Sequence, residues 1–183
     1  MDAGRTAIGV CFAIVAISAI WDLFTKQIPN VLTLGGVALG IALRVALGYT
    51  DAGVGGAFRG LAWAFAGIGL CGLLPLLSYI RGEIGGADLK LFAAIGALCG
   101  PGLGFNAQAW TYIVMALAIF PFRLARAGVV RPALVRVKVD VMNMFRAKDR
   151  RIEAPPVKLP PMAMGPAIFV GMCVAFTTHG VFR

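Results

Sequence analysis

Eight acidic residues occur in a chain of 183, and two of them, Asp22 and Asp88, stand where a carboxylate is costly. Asp2 at the terminus, Asp51 in a loop, Glu83 in a turn, and Asp140, Asp149 and Glu153 in a basic segment all have ordinary solvated explanations. Asp22 instead closes a long apolar run and is followed by Leu23 and Phe24, while Asp88 immediately precedes another run in RGEIGGADLKLF. An ionisable group on a membrane helix or at its end is costly enough to give a functional explanation weight. Two carboxylates held within a few ångströms do not both ionise readily, so they share a proton, leaving one as base and the other as acid. Such a pair activates water and protonates a carbonyl.

Each aspartate alone also has a structural explanation. Asp22 lies one helical turn before Lys26, in the favourable acid-before-base order for an ion pair. Asp88 suits a helix N-cap, where negative charge is stabilised. Between Trp21 and Asn30, WDLFTKQIPN reads as a tight turn joining two antiparallel helices: Pro29 disfavours helix at Ile28, and Asn30 suits the N-cap of the next helix. Other chemistry is poorly served. Ser18 and Ser78 lack a histidine on their side of the membrane, and His179 stands alone near the end of the last apolar run. Cys11, Cys71, Cys99 and Cys173 show no Cys-x-x-Cys spacing, so neither a disulfide framework nor a zinc site is expected, and no cofactor or metal is implied.

The elements that must position the two aspartates follow from composition. The chain is 60% hydrophobic and 14% charged, with 24 glycines, which places it in a lipid bilayer. A spanning helix needs roughly 20 apolar residues, and six stretches qualify, at 6–24, 31–47, 61–80, 89–103, 107–122 and 162–182. The expected fold is therefore all-α: a polytopic membrane bundle of about six transmembrane helices, one domain over 1–183. Arg5 before the first run resembles a signal-peptide flank, but no small-x-small cleavage site closes that run, so it reads as a permanent span. Glycines such as Gly35, Gly36, Gly67, Gly69 and Gly72 suit close helix packing or helices that part for a substrate.

Ten of the 17 basic residues lie between Arg123 and Lys158, within a loop at 123–161. Positive loops stay cytoplasmic, which puts both termini outside and brings Asp22 and Asp88 to one cytoplasmic level. Arg44, in the second span, is expected to snorkel to the outer surface. Within the loop, Leu134, Val137, Val141, Met144 and Phe145 follow helical spacing, while Val135, Val137, Val139 and Val141 also alternate as a strand would. An amphipathic helix on anionic lipid is one reading and a solvated topology anchor the other. Pro155, Pro156, Pro160 and Pro161 prevent a continuous helix beyond it. Nucleic acid is not expected as a partner, because only Phe145 interleaves the charges.

Three stretches resemble the type IV prepilin peptidases, membrane-embedded aspartic proteases of the Gly-x-Gly-Asp type. Asp22 with Ile28-Pro29-Asn30 resembles the family's first motif, and Gly85-Gly86-Ala87-Asp88-Leu89-Lys90-Leu91 resembles the second, Gly-x-Gly-Asp-x-Lys-Leu. Met164-Gly165-Pro166-Ala167 resembles the opening of the last span, a weaker likeness. The resemblance implies Asp22 and Asp88 as the catalytic pair, Gly85 and Gly86 as backbone of close approach, Lys90 as a neighbouring charge, and Pro29 and Asn30 as motif support. Ala87 departs from the family's glycine and would be strained if that position needed positive φ. The Cys-x-x-Cys segment of larger members, which also N-methylate pilins, is not found, which implies a peptidase-only form like those of tight-adherence (Flp) pilus systems. Implied with it are removal of prepilin leaders at the cytoplasmic face of the bacterial inner membrane, prepilins and pilin-like proteins as substrates, membrane lipid as surroundings, and pilus assembly machinery as a possible partner. A non-catalytic scaffold and an ion-coupled transporter subunit are the competing readings. The transporter would place charges nearer the bilayer midplane.

Overall fold

The computed structural model describes residues 3–82, 84–144, 146, 152–153 and 163–181. The described residues are helical with turns and contain no strand. The helices are α1 (Ala3–Thr25), α2 (Asn30–Ile80), α3 (Gly86–Val114), a π-helical stretch (Met115–Ile119), α4 (Phe120–Arg126), α5 (Val130–Met144) and α6 (Gly165–Thr178). Three continuous helical stretches are long and apolar enough to cross a membrane: Gly4–Thr25, Asn30–Ile80 and Gly86–Arg126.

The sequence predicts separate spans at 31–47 and 61–80, and at 89–103 and 107–122, whereas the structure joins the first pair within α2 and the second within the continuous helical stretch Gly86–Arg126. The joins are turns too tight to register as breaks. Within α2, Ala52 (φ −146°, ψ 29°) and Gly53 (φ 60°, ψ −145°) leave the helical region. A Cβ on Gly48 would collide with the Gly56 carbonyl, and one on Gly60 with the Arg44 carbonyl. Residues eight apart in a straight helix are separated by about 12 Å, so α2 is a hairpin whose arms run antiparallel about residue 52. In α3 the break falls at Gly100 (φ 79°, ψ 176°), followed by Pro101. A Cβ on Gly104 would lie 3.2 Å from the Gly96 Cα, so this element folds back in the same way.

The first arm of α3 is the centre of the bundle. Leu91, Phe92 and the run Ala94–Gly100 are buried, covering every side of the helix. Gly36 and Gly40, on the first arm of α2, meet Ala94 and Ala97, and Gly67 on the second arm meets the Gly96 backbone. Helix α1 presents the stripe Ala7, Cys11, Val15, Ser18, Ala19 and Asp22, recurring every three or four residues, to the interior. Antiparallel to it lies α6, with Phe12 and Phe169 ring centroids 5.2 Å apart and Cys11 Sγ 3.9 Å from Met172 Sδ. Of the glycines read as packing positions, Gly36 and Gly67 do pack, while Gly35, Gly69 and Gly72 face open space.

Arg44 does not snorkel. Its Nε and Nη2 donate to the Leu98 carbonyl at 3.1 and 2.6 Å. The break at Gly100 takes the end of this arm out of the helical ladder, and a bare backbone acceptor is costly in an apolar bundle. The guanidinium therefore caps the broken helix. Asn30 is likewise not the N-cap of α2. That position is Pro29 (φ −59°, ψ 137°), with no side-chain cap, and Asn30 begins the helix. The last helix is shorter than the expected 162–182, and Met162 and Phe182 lie outside the described residues.

Residues Met115–Met162 form a second compact unit. Here the expected fifth span passes into the π-helical stretch just before Pro121, which supplies no N–H to the preceding turn. Gly128 (φ 68°) ends α4, and α5 follows. The helical reading of Leu134, Val137 and Val141 is the one the structure adopts. Phe145 and Pro155, Pro156, Pro160 and Pro161 lie outside the described residues.

The helix contacts lead to a stability prediction. Gly67→Leu must push apart two touching backbones and is expected to cost about 1–3 kcal/mol or more. Gly69→Leu faces open space and should change stability by no more than about 0.5 kcal/mol. Thermal unfolding of the two variants in detergent checks the contrast.

Candidate active site

Among the described residues, Asp22 (5% exposed) and Asp88 (9%) are the only buried acidic side chains. Asp22 owes its burial to its place at the end of the inward stripe of α1. The helix stops one turn later: Lys26 adopts φ 54°, its N–H donates to the Asp22 carbonyl at 2.9 Å, and the Gln27 N–H reaches Thr25 Oγ1 at 3.3 Å. Ile28, 6% exposed, anchors the turn, and the Pro29 carbonyl accepts the N–H groups of Leu32 and Thr33. Lys26 is exposed and turned out of the helix, and the partner of the Asp22 carboxylate lies elsewhere.

That partner is the Gly165 N–H, which donates to Asp22 Oδ2 at 2.7 Å. Gly165 opens α6, where the first-turn N–H groups have no partner within the helix, and Pro166 follows at a position that tolerates its missing donor. A Cβ on Gly165 would stand 3.0 Å from both Cβ and Oδ2 of Asp22 and 3.1 Å from the Ala19 Cα. The contact therefore requires glycine.

Asp88 lies in the first turn of α3 rather than at its N-cap. Its Oδ2 accepts the Gly85 N–H at 3.3 Å, reaching back one turn as the third residue of a capping box does. Negative charge there is favoured by the helix dipole. Gly86 packs under Tyr79, whose Cε2 would lie 3.4 Å from a Cβ at that position. Ala87 raises no backbone difficulty, because Lys26 alone among the described non-glycine residues has positive φ. Two residues on, Lys90 Nζ donates to Asn30 Oδ1 at 2.8 Å and ties the start of α2 to the start of α3.

Asp22, Asn30, Asp88, Lys90 and Gly165 thus gather where α1 ends and α2, α3 and α6 begin. Pro29 and Gly86 contribute backbone shape rather than a group on the carboxylates. The arrangement sets two buried carboxyl groups in an apolar bundle, each accepting a backbone N–H, with the Lys90 ammonium bonded to Asn30 nearby.

Two residues were undervalued in the sequence. Gly165 appeared only within a weak motif, yet a glycine-proline pair opening an apolar run offers free helix N–H groups, and that signal was legible. Ser18, set aside for want of a histidine, is fully buried one turn before Asp22 on the same face, and its Oγ has no partner. No group of three or more metal-ligating side chains occurs among the described residues.

A family model described as the type IV leader peptidase family matches residues 9–122, which include both aspartates, Pro29, Asn30, Gly85, Gly86 and Lys90 but not Gly165. Searches of curated proteins and of solved structures found no match. With the family model covering more than half of its 183 residues and its helices apolar enough to span a bilayer, the chain belongs to the type IV leader peptidase family and is a membrane peptidase.

Proposed function

We propose that this peptidase is an intramembrane aspartic endopeptidase that removes the leader from Flp-like prepilins at the cytoplasmic face of the bacterial inner membrane, with Asp22 and Asp88 as its catalytic pair. The carrying observation is the convergence of the two buried aspartates at one end of an apolar bundle, each with a backbone donor on its carboxylate. The two hairpins support six crossings: α1, both arms of α2, both arms of α3 and α6. The concentration of basic residues between Arg123 and Lys158 supports a cytoplasmic site, since that segment follows the last arm of α3 and precedes the start of α6.

In this mechanism the substrate's basic leader stays in the cytoplasm while its apolar segment lies along the bundle, bringing the scissile bond to the aspartates. The ionised carboxylate takes a proton from water as the water oxygen attacks the carbonyl carbon. The protonated carboxyl gives its proton to the carbonyl oxygen, forming a neutral tetrahedral diol. On collapse, the carboxyl that gained the water proton delivers it to the leaving nitrogen, the C–N bond breaks, and the second carboxylate takes a diol proton. The pair again holds one proton between them. Gly165 keeps Asp22 aimed at the site, and the Lys90–Asn30 bond holds the turn carrying Asp88 against α2.

Asp22→Asn and Asp88→Asn, made separately, are each expected to reduce processing by about 10²–10⁴-fold, the usual loss for a missing acid or base. The readout is the gel shift of a co-expressed leader-bearing Flp-type prepilin, with the variant still found in the membrane. Undiminished processing in either variant would transfer the reading to a scaffold. A second prediction concerns α6. Gly165→Val forces a side chain onto Asp22 and should lower processing at least about tenfold, as expected when a reacting group is misplaced by an ångström. Gly69→Val, facing open space, should process normally in the same assay.

A further inference from the structure

The end of the bundle away from the aspartates holds a recess with no part in peptide hydrolysis. Arg44 lies fourteen residues beyond Asn30 in the sequence, about 21 Å along α2. There a cavity of about 340 Å³ opens beside the paired arms of α2 and the start of α1, lined by residues that include Gly4, Arg44, Gly48, Asp51, Arg59 and Trp63. The volume is that of a small-ligand site. Its shape follows from the hairpin: glycine-to-backbone contacts at Gly48 and Gly60 bring the arms together and set Arg44 on one arm across from Arg59 on the other.

Two guanidiniums and one carboxylate face this space. Arg44 spends two of its five N–H donors on the Leu98 carbonyl, leaving three for another acceptor. Among the described residues, Arg59 and Asp51 have no ion-pair or hydrogen-bond partner. The recess therefore carries a net positive charge and unused planar donors, the chemistry that suits a phosphate group. Trp63 at the recess and Tyr49 beside it are exposed, and Trp and Tyr are the residue types enriched at membrane–water interfaces.

We propose that this recess holds the phosphodiester headgroup of an anionic phospholipid, gripped by Arg44 and Arg59 across the α2 hairpin. Asp51 limits the affinity. A free phosphate ion has the same acceptor chemistry, but the place of the recess near the end of an apolar helix hairpin favours the lipid.

The test is native mass spectrometry of the purified full chain in detergent, with phosphatidylglycerol or phosphatidylcholine added. Phosphatidylglycerol should be retained in preference to phosphatidylcholine. Arg59→Gln, which removes an exposed and unpartnered cation, should weaken that retention about tenfold, and Asp51→Asn should strengthen it. Equal retention of the two lipids, or no change with Arg59→Gln, overturns the proposal. Displacement of phosphatidylglycerol by an equimolar amount of inorganic phosphate would assign the recess to a free ion and overturn the lipid source. No arm of this experiment depends on peptidase activity.

Discussion

The first arm of α3 can be the centre of the bundle only because neighbouring backbones reach it with no side chain between them. Gly67 against Gly96 is the tightest of these approaches, and Gly36 and Gly40 against Ala94 and Ala97 repeat it from the other arm of α2. Without a hydrophobic drive between helices in lipid, close van der Waals packing of small residues is what holds a bundle together. The same closeness fixes the height of Asp88 relative to α2. It also brings Gly171 of α6 against Thr111, and with that the start of α6 to the end of α1.

A second constraint governs where the helices turn. In an apolar medium a helix cannot stop without finding partners for its last carbonyl groups. The turn at Gly100 meets this need with Arg44, whose side chain crosses from α2 to the Leu98 carbonyl. The same arginine then faces the recess at the far end of the bundle, so one side chain serves both the fold and the lipid site proposed there. At the near end, the unsatisfied donors of helix starts are put to use. Gly85 and Gly165 offer backbone N–H groups to Asp88 and Asp22. The carboxylates are thus accepted into the interior by the same groups that membership of a helix would leave bare.

The rigidity of the proposed site comes from the bundle itself. There is no separate catalytic domain among the described residues, and the aspartates sit on the ends of the helices that form the bundle. Asp22, Asp88 and Gly165 sit on α1, α3 and α6, so the placement of the carboxylates depends on how those helices pack. Two bonds tie helices together at the site itself: Gly165 to Asp22 joins α6 to α1, and Lys90 to Asn30 joins α3 to α2.

Composition and apolar run length determined the helical class and the membrane setting, because a bilayer imposes a fixed length and requires backbone hydrogen bonds to close within each segment. The Asp22 and Asp88 motifs were legible for a related reason: a carboxylate beside an apolar run is costly, so few positions carry one. Around Leu134 and Val137 the spacing fitted helix and strand alike, and the structure decided for the helix. What the sequence left undecided was partnership. Asn30 looked like a cap and proved to be the acceptor for Lys90; Arg44 looked bound for the surface and proved to cap Leu98; Lys26 looked like the counter-ion of Asp22, and Gly165 took that place. These pairs are 54 to 143 residues apart, so local spacing carried no trace of them. Only the folding of α2 and α3 into hairpins, at glycines with positive φ, and the packing of α6 along α1 brought the groups within hydrogen-bond distance.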